Sequence, residues 1–198
     1  MANSCTVKFD LAAKTLQQHD LCLLSSAHFV EVGGSSISTA DGLHISVIHA
    51  FCESMSETIE SRPDQPIVIC PADCDIGTVS DACQLCGAFV LLFEDAGLDA
   101  VLSTFKDALH GPLVERRTAI VDCWTALDRA RALGWLGATG DDAGEPALDV
   151  EMASHYALAS NVAECAGTLA AAWLMTGFGF SGGAAGAWVR MMCPGLLA

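Results

Sequence analysis

The chain reads as an α/β protein, a short mixed sheet flanked by helices. Three observations lead there. Ile67 to Cys70 (IVIC) is a short, continuously apolar run, the pattern of a strand buried on both faces. Before it, Leu43, Val47, Phe51, Met55 and Ile59 recur every four residues, the stripe of an amphipathic helix. After it, DACQLCGAFVLLF (Asp81 to Phe93) is apolar all round, as a buried helix is.

Taken in order, the first 35 residues are β-rich, with LCLL (Leu21 to Leu24) and HFVEV (His28 to Val32) as short strands closed by Gly33 and Gly34. Ser38 and Asp41 are spaced as a capping box for the striped helix, which must end before Pro63. His44 and His49 flank that stripe and read as surface or half-buried residues. Pro66 opens the IVIC strand, and a polar loop, PADCDIGTVS, carries the chain into the apolar helix. One shorter helix is expected over Leu98 to Leu109, stopped by Gly111 and Pro112. Thr118 starts the next, with Ile120, Cys123, Trp124, Leu127 and Ala130 on one face and Gly134 as its C-cap. Residues 137–152 change to Gly, Ala, Pro and acids, a linker composition. Two helical patterns follow, Ala163 to Thr176 and Ala184 to Met192, with Gly177, Gly179, Gly182 and Gly183 making the turn between them. Asp81 to Lys106 also aligns on Cys165 to Arg190: a long apolar helix, a turn, then a short helix, with Phe89 on Trp173 and Leu91 on Met175.

Charge excludes some functions. With 24 acidic side chains against 9 Lys and Arg, the formal charge is -15, which disfavours nucleic acid and anionic membranes as partners. The basic residues are scattered apart from Arg116 and Arg117, which read as a solvated loop. No apolar run reaches the ~20 residues that span a bilayer. The start, MANSCTVKFD, carries no signal-peptide pattern, so the ten cysteines are expected as reduced thiols in a cytoplasmic protein. Cys70 with Cys74, and Cys83 with Cys86, are spaced like zinc ligands. The second pair lies inside the apolar helix rather than a knuckle turn, so packed thiols are the stronger reading and no metal or cofactor is expected.

The unit strand, loop, apolar helix, turn, short helix resembles the signature region of cysteine phosphatases. HISVIHAFCESM, IVIC, QLCGAFVLLFEDAGLDAVLSTF and TAIVDCWTALDRARALGWL are together similar to the non-catalytic N-terminal domain of the tandem-domain dual-specificity phosphatases of the mitotic-exit, cell-division-cycle type. GTLAAAWLMTGFGFSGGAAGAWVRMMCPG (Gly167 to Gly195) resembles the segment just after that family's catalytic loop. The resemblance implies a phosphatase-like domain over residues 1–136, the linker 137–152, and a helical remnant of a second domain over 153–198, its helices packed on the first domain.

That chemistry needs a thiolate at a strand end, a loop of inward N–H groups, an Arg gripping the phosphate, and an Asp as proton donor. Anchored on Gly167, Thr168 and Leu169, the resemblance puts the nucleophile position at Ala159 and the arginine position at Cys165, with Glu164 at a glycine position in the loop. Nucleophile, clamp and neutrality are lost together. The first loop, Pro71 to Ser80, carries Asp73 and Asp75 and no base; neither Cys70 nor Cys74 is followed by the Arg. Cys123 to Arg129 matches C-x5-R literally, but it has no glycine and reads as continuous helix, with Cys123 a core thiol. Ser25, Ser26 and His28 make a triad only if geometry brings them together.

The expected function is therefore a catalytically inactive phosphatase homologue, a structural or scaffold subunit working through protein contacts in a larger assembly, of which a cytoskeletal or ciliary one is an example. The alternatives are a phosphopeptide-binding module, or a dual-specificity phosphatase whose nucleophile has moved to Cys70 or Cys74.

Overall fold

The computed structural model describes residues 7–10, 15–18, 28–32, 43–63, 65, 67–72, 75–94, 96–136 and 163–192. The broad α/β class is as expected, although the described residues are mostly helical and include only a small two-stranded parallel sheet. Two strands precede anything named individually in the sequence, β1 (Val7–Asp10) and β2 (Thr15–Gln18), paired antiparallel with Val7 opposite Gln18. β3 (His28–Val32) and β4 (Ile67–Pro71) then pair in parallel, His28 opposite Ile67 and Val32 opposite Pro71. The described strands thus form two separate pairs rather than one mixed sheet, although β1 lies beside β4. The expected strand at Leu21 to Leu24, the capping box at Ser38 and Asp41, and the linker 137–152 lie outside the described residues.

Parallel strands need a crossover, and α1 (Ile45–Ser61) supplies it between β3 and β4. Its N-cap is His44, whose Nδ1 accepts from the Ser46 N–H at 3.2 Å. Ile45, Ile48, Cys52 and Met55 form its buried face, while Val47, Phe51 and Ile59 sit on the flank. The stripe read at steps of four therefore lay partly off-centre. A four-residue step overshoots a 3.6-residue turn, so such a stripe drifts around the helix and only alternating steps of three and four stay on one face.

β4 buries Ile67, Val68 and Ile69, which is why it shows no alternation. From it the chain enters α2 (Ile76–Leu92), buried from Val79 to Leu91 except at the half-buried Gln84. The helix starts at Ile76 and not at Asp81, because Asp75 caps it. α2 packs on α1, β4 and α5. The expected single helix after it is two: α3 (Leu98–Thr104) and α4 (Lys106–His110), broken at Phe105. Phe105 is fully buried with its ring 5.1 Å from that of Trp124, and the break lets it reach the core.

α5 (Arg117–Ala132) is the central pillar. It buries Ile120, Cys123, Trp124, Leu127 and Ala130 as expected, and ends at Gly134 with φ +71°, the left-handed conformation of a C-cap glycine. α6 (Ala163–Phe178) and α7 (Gly182–Met192) follow, turned by Gly179 at φ +69°. α7 packs on α5, and α6 packs on α7. Trp135 ties this tail to the rest of the molecule, its ring 5.0 Å from Phe178, 5.8 Å from Phe180 and 5.8 Å from Trp188.

Candidate functional site

The place to look for phosphatase-type chemistry is the turn from β4 into α2. Cys70 stands near the end of β4, half-buried, opposite Glu31 in the ladder. The Ala72 N–H donates to the Val32 carbonyl at 2.8 Å, so pairing continues past Pro71, which has no N–H of its own. The start of α2 then points its free N–H groups outward, a geometry that attracts anions.

Here the anion is supplied from within. Oδ1 of Asp75 accepts from the Gly77 N–H at 2.8 Å and the Thr78 N–H at 3.1 Å, and the Thr78 hydroxyl donates to Oδ2. These bonds, the Thr78 hydroxyl foremost, hold the Asp75 carboxyl below the usual aspartate range. A phosphate at this helix start meets donors already taken and a negative charge in its place. Asp73 and Cys74 lie outside the described residues.

The thiols are equally unsuited to attack. Burial, with Glu31 adding to it, pushes the Cys70 thiol up. Burial raises Cys52, Cys83, Cys86 and Cys123 as well, Cys86 and Cys123 to about 12. Among the described residues no positive group beside Cys70 counters this, and the raised thiol is protonated and weakly nucleophilic at neutral pH.

Cys123 and Arg129 stand within one continuous helix, as the residue pattern implied. The Cys123 thiol packs on Met191 of α7, Sγ to Sδ 3.5 Å. Arg129 donates from Nε to the Phe178 carbonyl at 2.7 Å, closing the end of α6, while Arg131 donates to the Leu91 carbonyl at the end of α2. Both arginines are spent on helix ends.

Of the positions assigned through the family resemblance, Ala159 lies outside the described residues. Glu164 and Cys165 fall in the first turn of α6, which starts at Ala163, so those two stand on helix rather than on a loop. The run Ala-Glu-Cys-Ala lacks the glycine that would hold a loop open there. Ser25 and Ser26 are also outside the described residues, while His28 begins β3. His44 is half-buried as a cap, and burial lowers its imidazole. His49 lies 3.4 Å from Glu53 on α1. Cys83 and Cys86 are buried in α2, and among the described residues no three His, Cys, Asp or Glu side chains gather as metal ligands. Among those residues, too, no helix is long and apolar enough to cross a membrane.

One feature had no counterpart in the sequence reading. A cleft of about 370 Å³ opens between α3, α4 and the start of α5, and Lys106, His110 and Arg117 line it. Arg116 and Arg117, read as a solvated loop, are the N-cap and first residue of α5. The available signal was the one tight basic pair in an acidic chain, close after Lys106. No protein-family model matches the chain, and no curated protein matches it.

Proposed function

We propose that this protein is a catalytically silent relative of the tandem-domain dual-specificity phosphatases, serving as a structural subunit through protein–protein contacts. The observation that carries the reading is α6. It is apolar almost throughout, yet Trp173 and Met175 are 59% and 46% exposed. A tryptophan and a methionine held at the surface on a rigid helix are what interface anchors consist of. The silence of the site is supported by the Asp75 carboxylate at the start of α2 and by the protonated thiols. The partner is a protein whose own apolar face is rimmed with Lys and Arg, because the chain carries a charge of -15. A cytoplasmic assembly, cytoskeletal or ciliary among the possibilities, fits that description.

The test is the native size of the protein in a gentle extract, by size exclusion with mass spectrometry of what co-elutes. Elution far above 20.6 kDa with a reproducible partner set, lost in a Trp173→Asp, Met175→Asp variant, is the expected result. Elution as a free monomer sinks the reading. Phosphopeptide binding at the α2 turn is the weaker alternative, since the donors it needs are bonded to Asp75.

A further inference from the structure

We propose that the cleft between α3, α4 and α5 is a binding site for a small amphipathic anion: one carboxylate or phosphate group on a short apolar body. The argument starts from charge. The chain has nine Lys and Arg in all. Arg129 and Arg131 are bonded to helix-end carbonyls, and Arg62 is bonded to Gln65. Lys106 and Arg117, by contrast, line the same cleft, and among the described residues no carboxylate forms an ion pair with either. His110, the last residue of α4, joins them on the rim.

The second observation is the start of α5. α2 is capped by Asp75, but no side chain caps α5, whose N-cap is Arg116. The Arg117 N–H donates to the Val114 carbonyl at 3.4 Å, and the next first-turn N–H, that of Thr118, adds a donor and the positive dipole end to the same rim. Beneath the rim the wall is apolar. Leu109 is buried, Leu102 and Val121 are half-buried, and all three line the cleft. A cationic rim over an aliphatic floor selects a ligand with an anionic head and an apolar body. The one carboxylate in the wall, Asp122, is turned toward α7: its oxygens lie 2.3 Å and 2.4 Å from where a Cβ on Gly183 would stand. The overall charge of -15 does not overrule the local one, because screening limits exposed charges to about 8 Å at physiological salt.

The experiment is an NMR titration of the ¹⁵N-labelled full chain with hexylphosphonate, alongside inorganic phosphate and 1-hexanol. Binding is expected for hexylphosphonate, with amide shifts concentrated in residues 102–122, and at least about fivefold tighter than for either half-molecule. Lys106→Ala and Arg117→Ala each weaken it about fivefold, and added salt weakens it further. Arg62→Ala, a surface arginine elsewhere, leaves it unchanged. All three positions are exposed, so these variants keep the fold. Co-sedimentation with phosphatidylcholine vesicles containing phosphatidic acid identifies the source of the anion. Sedimentation that depends on Lys106 and Arg117 assigns it to a lipid head group, and binding of the free amphiphile alone assigns it to a soluble metabolite. Equal affinity for 1-hexanol, full affinity in the double variant, or shifts confined to another face would each overturn the proposal.

Discussion

Gly87 tests the packing of α2 against α5, on which the whole core depends. A Cβ at Gly87 would lie 2.2 Å from two ring carbons of Trp124 and 2.5 Å from its Nε1. Carbon atoms rest at about 3.5–4.0 Å, so Gly87→Ala must open the contact by more than 1 Å. Trp124 cannot simply swing away. It is fully buried, its Nε1–H donates to the Gln84 carbonyl at 3.0 Å, and its ring lies on Phe105. In an exposed helix the same change gains about 1 kcal/mol of helix propensity. Here overpacking costs about 1–3 kcal/mol, and displacing the indole from Gln84 adds about 1–3 more. The net is a loss of about 1–5 kcal/mol, centred near about 3 kcal/mol, or about 6–12 °C in Tm at that centre for a chain of this size. Urea unfolding followed by tryptophan fluorescence measures it as a lower midpoint at unchanged slope. Gly186→Ala is the matched control, because α7 leaves its Cβ 3.5 Å from the mobile end of Arg190; it should be neutral or gain up to about 1 kcal/mol. If Gly87→Ala proves as stable as the parent, Trp124 does not pack on α2 as described.

Asp75→Ala should lower Tm while Asp75→Asn keeps most of it, because an amide oxygen still accepts from the two N–H groups. Since the folded carboxyl titrates below its unfolded value of about 3.9, its contribution is complete above that pH and is lost as pH falls through the folded value; urea midpoints down to about pH 2.5 should show this in the parent and not in Asp75→Ala. The thiols work in the other direction. Cys86 and Cys123 are raised to about 12, so the unfolded chain ionises first and stability should fall between about pH 9 and 12. A thiol reagent at pH 8 should leave both unmodified until the protein unfolds. Arg129→Met removes the bond to Phe178 and should cost about 1–3 kcal/mol, speeding amide exchange in α6 but not in α2; Arg131→Met should do the reverse.

What could be read in advance depended on how local the cause was. β3, β4 and the buried face of α5 were legible because each is one continuous apolar pattern. The start of α2 was misplaced because a single side chain decides it: Asp75 reaches two N–H groups, and hydropathy does not register a cap. The break between α3 and α4 was missed because its cause is tertiary. Phe105 turns inward to meet Trp124, a residue far along the chain. The cleft was invisible for the same reason, since Lys106 of α4 and Arg117 of α5 line it together only once those helices have packed. The acidic character of the first loop was legible from Asp73 and Asp75, but that Asp75 is bonded to the start of α2 is a matter of geometry that composition does not contain.

The sequence alignment of Asp81 to Lys106 on Cys165 to Arg190 sets α2 beside α6 for comparison. α2 with α3 aligned from sequence on α6 with α7, but the packing differs: α2 itself lies on α5, whereas in the second unit α7 lies on α5 and α6 lies on α7. Arg131 closes the end of α2 and Arg129 the end of α6. The environments then diverge. Phe89 in α2 is 5% exposed, whereas its counterpart Trp173 is 59% exposed; Leu91 is 0% exposed and Met175 46%. α2 is covered by α1 and β4, and among the described residues no helix or strand plays that part for α6. Trp173 and Met175 stand on opposite flanks of the buried Leu174, and the Trp173 ring meets that of Phe178 edge-on at 4.5 Å while most of it faces outward. α6 thus holds two large apolar side chains at the surface where the aligned positions of α2 are buried, and this difference is what the proposed interface rests on.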